Sequence, residues 1–313
     1  MRRAAARTPP RPPSDCRTWH LRRCSSGAAA RLATKIGRPA TDLQTEARID
    51  FLRAKALSVA DMKTAASLIT SNPRVEVLDV TGNGFGADAV ESLVAILRGC
   101  PNLDTLAVGN NDLRAGAGIL VEAAASSGSL RSLSMPANAI AGGTCKAISA
   151  ALAANPGLTS LDLSHNAFGP IGGAALASGL ASNRTLASLA LASCSVRASG
   201  GQRLAEALRA GSILRSLDLH ECYVGADGLA ALAAALQGNT TLQVLRLSDN
   251  NLAEKSGLGS HELSAEEGLA ALAALLANNR TLRSVDLRYN GLDDAQQRAL
   301  MLSKRETLKL DLI

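Results

Sequence analysis

Aromatic side chains make up only 2% of the 313 residues: Trp19, Phe51, Phe85, Phe168, Tyr223 and Tyr289. So few rings leave no stacking platforms for bases, which argues against nucleic-acid binding through the main body. Long apolar runs are also missing. The best, Gly268 to Ala277, has ten residues, whereas a membrane-spanning helix needs roughly 18–20. No membrane span is expected. The chain lacks H-E-x-x-H, C-x-x-C, G-x-S-x-G and G-x-x-x-x-G-K-[ST] as well, the spacings that carry metal, nucleophile and phosphate chemistry. Its six cysteines (Cys16, Cys24, Cys100, Cys145, Cys194, Cys222) have no zinc-site spacing and suit a reducing compartment. No metal, no cofactor and no catalytic residue is expected, and the chain reads as a non-enzyme. Gly82-Asn-Gly-Phe-Gly86 is a turn at a strand-to-helix junction rather than a phosphate loop.

Acidic residues are scarce only at the beginning. The formal charge is +6, yet residues 1–41 hold ten basic residues against Asp15, and the remainder holds 23 basic against 26 acidic. The body is therefore mildly acidic, and its charge does not call for a polyanionic partner. Five of the ten prolines also fall in this basic segment. Residues 1–45 are expected to be a disordered Pro/Arg-rich tail. Cytoplasmic localisation is expected, with a mitochondrion or plastid as the alternative if residues 1–41 act as a transit peptide.

What the sequence does contain is a repeat. Val75, Leu103, Leu130, Leu158, Leu186, Leu214, Leu242 and Leu282 recur at intervals of 27 or 28, and 40 at the last step. Each opens the pattern seen in Leu158-Thr-Ser-Leu161-Asp-Leu163-Ser-His-Asn166-Ala-Phe168, which is L-x-x-L-x-L-x-x-N/C-x-L. The alternating leucines predict a short strand with one buried face. Helical stripes follow, such as Leu229, Leu232 and Leu236. Asn83, Asn111, Asn138, Asn166, Cys194, Cys222, Asn250 and Asn290 form a structural ladder that points inward and bonds the backbone of neighbouring turns. The alternative for Cys194 and Cys222 is a disulfide or metal pair on adjacent strands.

The expected fold is an α/β leucine-rich repeat solenoid, a horseshoe with a parallel sheet on its concave face and helices on its convex face. Residues 46–74 are a degenerate capping repeat, with Leu52, Lys55 and Leu57 at the places of Val80, Asn83 and Phe85. Residues 75–307 carry eight repeats, with an insertion near 253–264 that restarts the helix at a Ser264/Glu267 capping box. Residues 308–313 are a terminal edge strand, whose Lys309 and Asp311 guard against pairing with another chain.

These repeats, as in Leu158 to Gly211, resemble the ribonuclease-inhibitor-like class of leucine-rich repeats. The class includes ribonuclease inhibitor, the sensing domains of NOD-like receptors and Ran GTPase-activating protein. The resemblance implies protein recognition through the horseshoe, and the receptor-type array fits best. Ribonuclease inhibitor is richer in Cys and Trp, and the activator is expected to carry a long acidic tail.

Most of the concave face reads as small and polar. Its C-terminal half differs: His220, Glu221, Tyr223, Arg246, Asp249, Asp286, Arg288 and Tyr289, with His261 and Glu262 in the insertion, form the candidate partner-binding patch, because Tyr and Arg concentrate at interface centres. The expected function is a protein-interaction module or scaffold with a protein partner. The alternatives are a GTPase activator acting on a small GTPase, or a structural component of a large assembly such as a cilium.

Overall fold

A computed structural model describes residues 27–51, 57–154, 157–253 and 264–312. Within these, strands and helices alternate: β1 (Arg48–Asp50), β2 (Val77–Asp79), β3 (Thr105–Ala107), β4 (Ser132–Ser134), β5 (Ser160–Asp162), β6 (Ser188–Ala190), β7 (Ser216–Asp218), β8 (Val244–Arg246), β9 (Ser284–Asp286) and β10 (Lys309–Asp311). The helices are α1 (Ala28–Ile36), α2 (Val59–Ile69), α3 (Val90–Gly99), α4 (Gly116–Ser126), α5 (Gly142–Ala154), α6 (Gly169–Ser182), α7 (Arg197–Arg209), α8 (Gly225–Leu236), α9 (Ala265–Asn278) and α10 (Asp294–Ser303). The strands form one sheet in sequence order, and every neighbouring pair is parallel. Each strand is short because only its middle residue needs to enter the core. Leu78, Leu106, Leu133, Leu161, Leu189, Leu217, Leu245 and Val285 are all at most 1% exposed, while their flanking residues face the concave side.

Consecutive helices lie side by side on the opposite face. They approach closely where small residues meet. A Cβ added to Gly179 of α6 would stand 2.4 Å from the Ser149 carbonyl oxygen of α5, and one on Gly173 would stand 2.9 Å from Val196 Cγ1. Leucines from the inner side of each helix meet those of the strands in one continuous core.

The N-terminal end corrects the sequence reading in two places. First, residues 28–45 are not tail: α1 and a 3-10 turn at Ala40–Gln44 cover the end of the core, with Leu32 and Leu43 at 0% exposure and Ile36 at 8%. Three apolar side chains on an otherwise alanine-rich, basic stretch suffice to dock it. Lys35 Nζ holds Asp61 Oδ2 at 2.6 Å, and Arg38 pairs with Glu46. Second, the capping coil is offset by 29 residues rather than 28, with Arg48 paired to Val77 and Ile49 to Leu78. Phe51, not Leu52, therefore takes the place of Val80, and its ring is 1% exposed. The ladder position moves to 54, and both it and Lys55 lie outside the described residues, as do His261, Glu262 and most of the insertion. At the other end, β10 pairs with β9, and Ser264 and Glu267 make a capping box at the start of α9.

Candidate functional site

The ladder fixes the shape of the concave rim. Asn166, fully buried, accepts at Oδ1 from the N–H groups of Asn138 (2.9 Å) and Ile140 (3.1 Å), and its Nδ2 donates to Met135 O (3.0 Å) and Leu163 O (2.8 Å). Asn111 bonds Phe85 N–H and Val108 O in the same way, Asn138 bonds Val108 O, Asn83 bonds Val80 O, Asn250 bonds Val224 N–H and Leu219 O, and Asn290 bonds Asn250 N–H and Leu247 O. The amide suits this place because it offers two donors and an acceptor oxygen on one short side chain. Cys194 donates through Sγ to Leu163 O at 3.2 Å and Cys222 to Leu191 O at 2.9 Å. Both are free, buried thiols. Burial pushes the Cys222 thiol up to about 11 and that of Cys194 higher still.

Aiming the ladder residue inward forces its neighbours into left-handed backbone. Before it stand Ala137, His165, Ser193, Glu221, Asp249 and Tyr289, and after it Ala139, Ser195, Tyr223 and Asn251, all with φ between 52° and 59°. That conformation is uncommon for any residue but glycine and strained for a large one. Tyr289 (φ 59°) and Tyr223 (φ 57°) are the bulky cases.

A second ladder runs along the C-terminal ends of the helices. Asn72 Nδ2 donates to Glu46 O at 2.7 Å, Asn183 Nδ2 to Leu152 O at 2.7 Å, and Asn279 Nδ2 to Leu236 O at 2.7 Å. Their Oδ1 atoms accept from the chain that follows, as Asn183 does from Leu186 N–H at 2.7 Å. Sequence reasoning did not single out this second ladder. The recurrence of its asparagines in step with the repeat was the signal that they reach back to the preceding coil.

The candidate partner-binding residues that are described fall on three adjacent coils. Asp218, Arg246 and Asp286 are direct neighbours across β7, β8 and β9. Glu221, Asp249 and Tyr289 occupy equivalent left-handed positions just beyond those strands. The two arginines are paired within the protein. Arg288 grips Asp286 with two bonds, Nε to Oδ1 at 2.9 Å and Nη2 to Oδ2 at 2.8 Å. This contact raises the Arg288 pKa and, against the opposing effect of burial, lowers that of Asp286. Arg246 Nη1 reaches Asp218 Oδ2 at 3.4 Å. His220 Nδ1 lies 3.0 Å from Ser248 Oγ, and Ser193 Oγ donates to Glu221 Oε2 at 2.5 Å. Beside them the two tyrosines are exposed, Tyr223 at 49% and Tyr289 at 72%. Among the described residues no three His, Cys, Asp or Glu side chains gather as a metal site.

No curated protein matches the chain. A family model described as Leucine Rich repeat matches residues 71–94, 154–177, 238–256 and 278–295. Solved structures similar to the chain include a tropomodulin C-terminal domain from Caenorhabditis elegans (15% identity, 51% of this chain and 92% of that one, TM-score 0.35). Another is leiomodin-1 actin-binding site 2 (18% identity, 72% of this chain and 91% of that one, TM-score 0.35). A third is the yeast Rad7 and Elc1 complex (16% identity, 95% of this chain and 89% of that one, TM-score 0.38). The coil that recurs along the parallel sheet is thus the leucine-rich repeat, and the fold is a leucine-rich repeat solenoid of about 28 residues per coil.

Proposed function

We propose that this chain is a non-catalytic protein-recognition module whose partner seats against the loops that follow β7, β8 and β9. The observation that carries the reading is the exposure of Tyr223 and Tyr289 on left-handed backbone. Asn or Gly would fit both positions with less strain, and strained residues cluster where a surface has a task. Tyrosine supplies a large contact area and a polar tip, the combination favoured at the energetic centre of an interface. The paired charges around them supply orientation: Arg246 and Arg288 are already desolvated in part by their carboxylates, and a partner would bring complementary groups to the rim.

The test is a Tyr223→Asn/Tyr289→Asn double variant compared with wild type in affinity capture followed by titration of the captured protein. The expected outcome is a partner held by wild type and lost by the variant, while the variant unfolds no more easily, since Asn relaxes the left-handed backbone. Capture of the same partners with equal affinity by both forms overturns the assignment.

A further inference from the structure

Averaged over the body the charges nearly cancel, yet the coils gather them unevenly. One edge of the solenoid carries the turns from strand to helix, where Glu266, Glu267, Asp293 and Asp294 are exposed at the starts of α9 and α10. The other edge carries the turns from helix to strand. Those leading into β4 through β9 span residues 126–132, 153–160, 181–188, 209–216, 236–244 and 278–284. They hold six arginines and no acid.

Arginine near a helix C-terminus has an ordinary task, since it can bond the last carbonyls. Two of the six perform it. Arg184 Nη1 donates to Ala181 O (2.7 Å) and Asn183 O (3.0 Å), and Arg131 Nη1 donates to Gly128 O (3.3 Å) and Gly157 O (3.2 Å). Arg209, Arg215, Arg280 and Arg283 do not. All four are exposed, and among the described residues their side chains meet neither a carbonyl nor a carboxylate. Arg246 and Arg288, on the concave side, are by contrast each closed on an aspartate.

The backbone sets the four in order. Arg215 N–H donates to Ala187 O, Gln243 N–H to Arg215 O and Arg283 N–H to Gln243 O. Arg215 and Arg283 therefore stand two rungs apart on one edge, about 10 Å at the spacing of paired strands. Arg209 is the last residue of α7, and Arg280 follows the end of α9. The turn between these pairs contributes Gln237, Gly238 and Thr240, exposed and uncharged, and a Cβ on Gly238 would meet nothing. Two pairs of unpartnered guanidinium groups thus sit astride a small neutral step. We infer that this edge binds an extended, Asp/Glu-rich segment of a partner protein, which runs across the turns preceding β7, β8 and β9.

The chemistry of the edge selects that occupant. Guanidinium groups take carboxylates with two parallel bonds, and side chains on one face of an extended chain recur about every 6.6 Å, a spacing that brings successive acids to successive pairs. Among the described residues no large exposed apolar or aromatic side chain lies in these turns: Ile119, Ile171, Tyr223, Tyr289, Met301 and Leu302 are all elsewhere. Bases would find nothing to stack on, and a membrane would receive no apolar anchor. Phosphates of a nucleic-acid strand also follow one another at about 3.4 Å, far more densely than these arginines. The tyrosine patch lies on the opposite edge, so this inference does not depend on it.

The experiment is hydrogen–deuterium exchange of the full chain with and without an oligoglutamate peptide, joined to fluorescence anisotropy of the labelled peptide at low salt. Wild type is expected to bind the peptide and to gain protection in residues 209–216 and 278–284. Arg215→Glu/Arg283→Glu should raise the dissociation constant roughly tenfold and lose that protection. Lys63→Glu/Lys146→Glu changes two exposed helix positions by the same net charge and should do neither. The basic residues 1–41 are common to all three proteins, and circular dichroism confirms that each is folded. Oligothymidylate and phosphatidylserine vesicles serve as rival anions. Protection confined to other residues, equal affinities in the two double variants, or tighter binding of either rival at these turns overturns the proposal.

Discussion

Replacing Asn166 by Ala should be among the most damaging single changes available in this chain, although it deletes only a carboxamide. The side chain ties its own coil to the one before it. Removing it orphans two buried N–H groups, those of Asn138 and Ile140, and takes a donor from the carbonyls of Met135 and Leu163. A buried polar group left without a partner costs about 1–3 kcal/mol. The two N–H groups set the scale, because Leu163 O retains the Cys194 thiol. Allowing for relaxation, the expected loss is about 3–5 kcal/mol.

Cys222→Ala is the internal control. It removes one Sγ bond to Leu191 O and two weak acceptances from the N–H groups of Cys194 and Val196. Sulfur is a poor donor and acceptor, so the cost should be about 1–2 kcal/mol. Urea denaturation of both variants measures the difference, with the slope compared to wild type because a repeat array can lose its two-state behaviour. Amide exchange at residues 138 and 140 locates it. An Asn166→Ala protein within about 1 kcal/mol of wild type, or no weaker than Cys222→Ala, refutes the accounting from unsatisfied groups.

Two further perturbations follow from the packing and the cap. Gly179→Ala places a methyl group 2.4 Å from Ser149 O, so α5 and α6 must separate; a loss of about 1–3 kcal/mol in thermal or urea melts is expected, and an unchanged melting temperature would show that the contact is slack. The cap should respond to acid through Asp61. Burial alone would raise its carboxyl, but bonds from Lys35 and from the Ser58 hydroxyl and N–H outweigh it and lower the pKa from 3.8 to about 2. A depressed pKa means the stabilisation is complete above about 3.8 and fades as the pH falls through about 2. Protection factors of the α1 amides, with the intrinsic pH dependence of exchange divided out, should therefore fall over that window more steeply in wild type than in Asp61→Asn; equal slopes in the two proteins would remove Asp61 from the cap.

The repeat was legible because its constraints are periodic. A buried leucine at the middle of each strand and an amide at each ladder position are demanded once per coil, so the demand shows as a 28-residue recurrence. The same logic made Cys194 and Cys222 readable as buried thiols standing in for Asn. Where a constraint occurs once, the signal vanished. Residues 28–45 look like basic, alanine-rich tail, and only Leu32, Ile36 and Leu43 betray a helix and turn closing the core. The first coil was misplaced by one residue because Phe51 meets the end of the core rather than another coil. The candidate patch was found as a set of residue types, but its internal pairing was not: Arg288 closing on Asp286 within its own coil depends on side-chain conformers that residue spacing does not encode.

The close approach of α5 to α6 at Gly179 reaches beyond stability. The angle each coil turns relative to the last is the difference between helix and strand spacing, divided by the radial thickness of the coil. Strands are held near 4.8 Å by their hydrogen bonds, so only the helix side can vary, within about 8–10 Å. Small residues on the outer face therefore set the radius of the inner one. A substitution that widens the helix spacing bends the arc more tightly, and the diameter of partner the protein can embrace is written in alanines and glycines that never touch it.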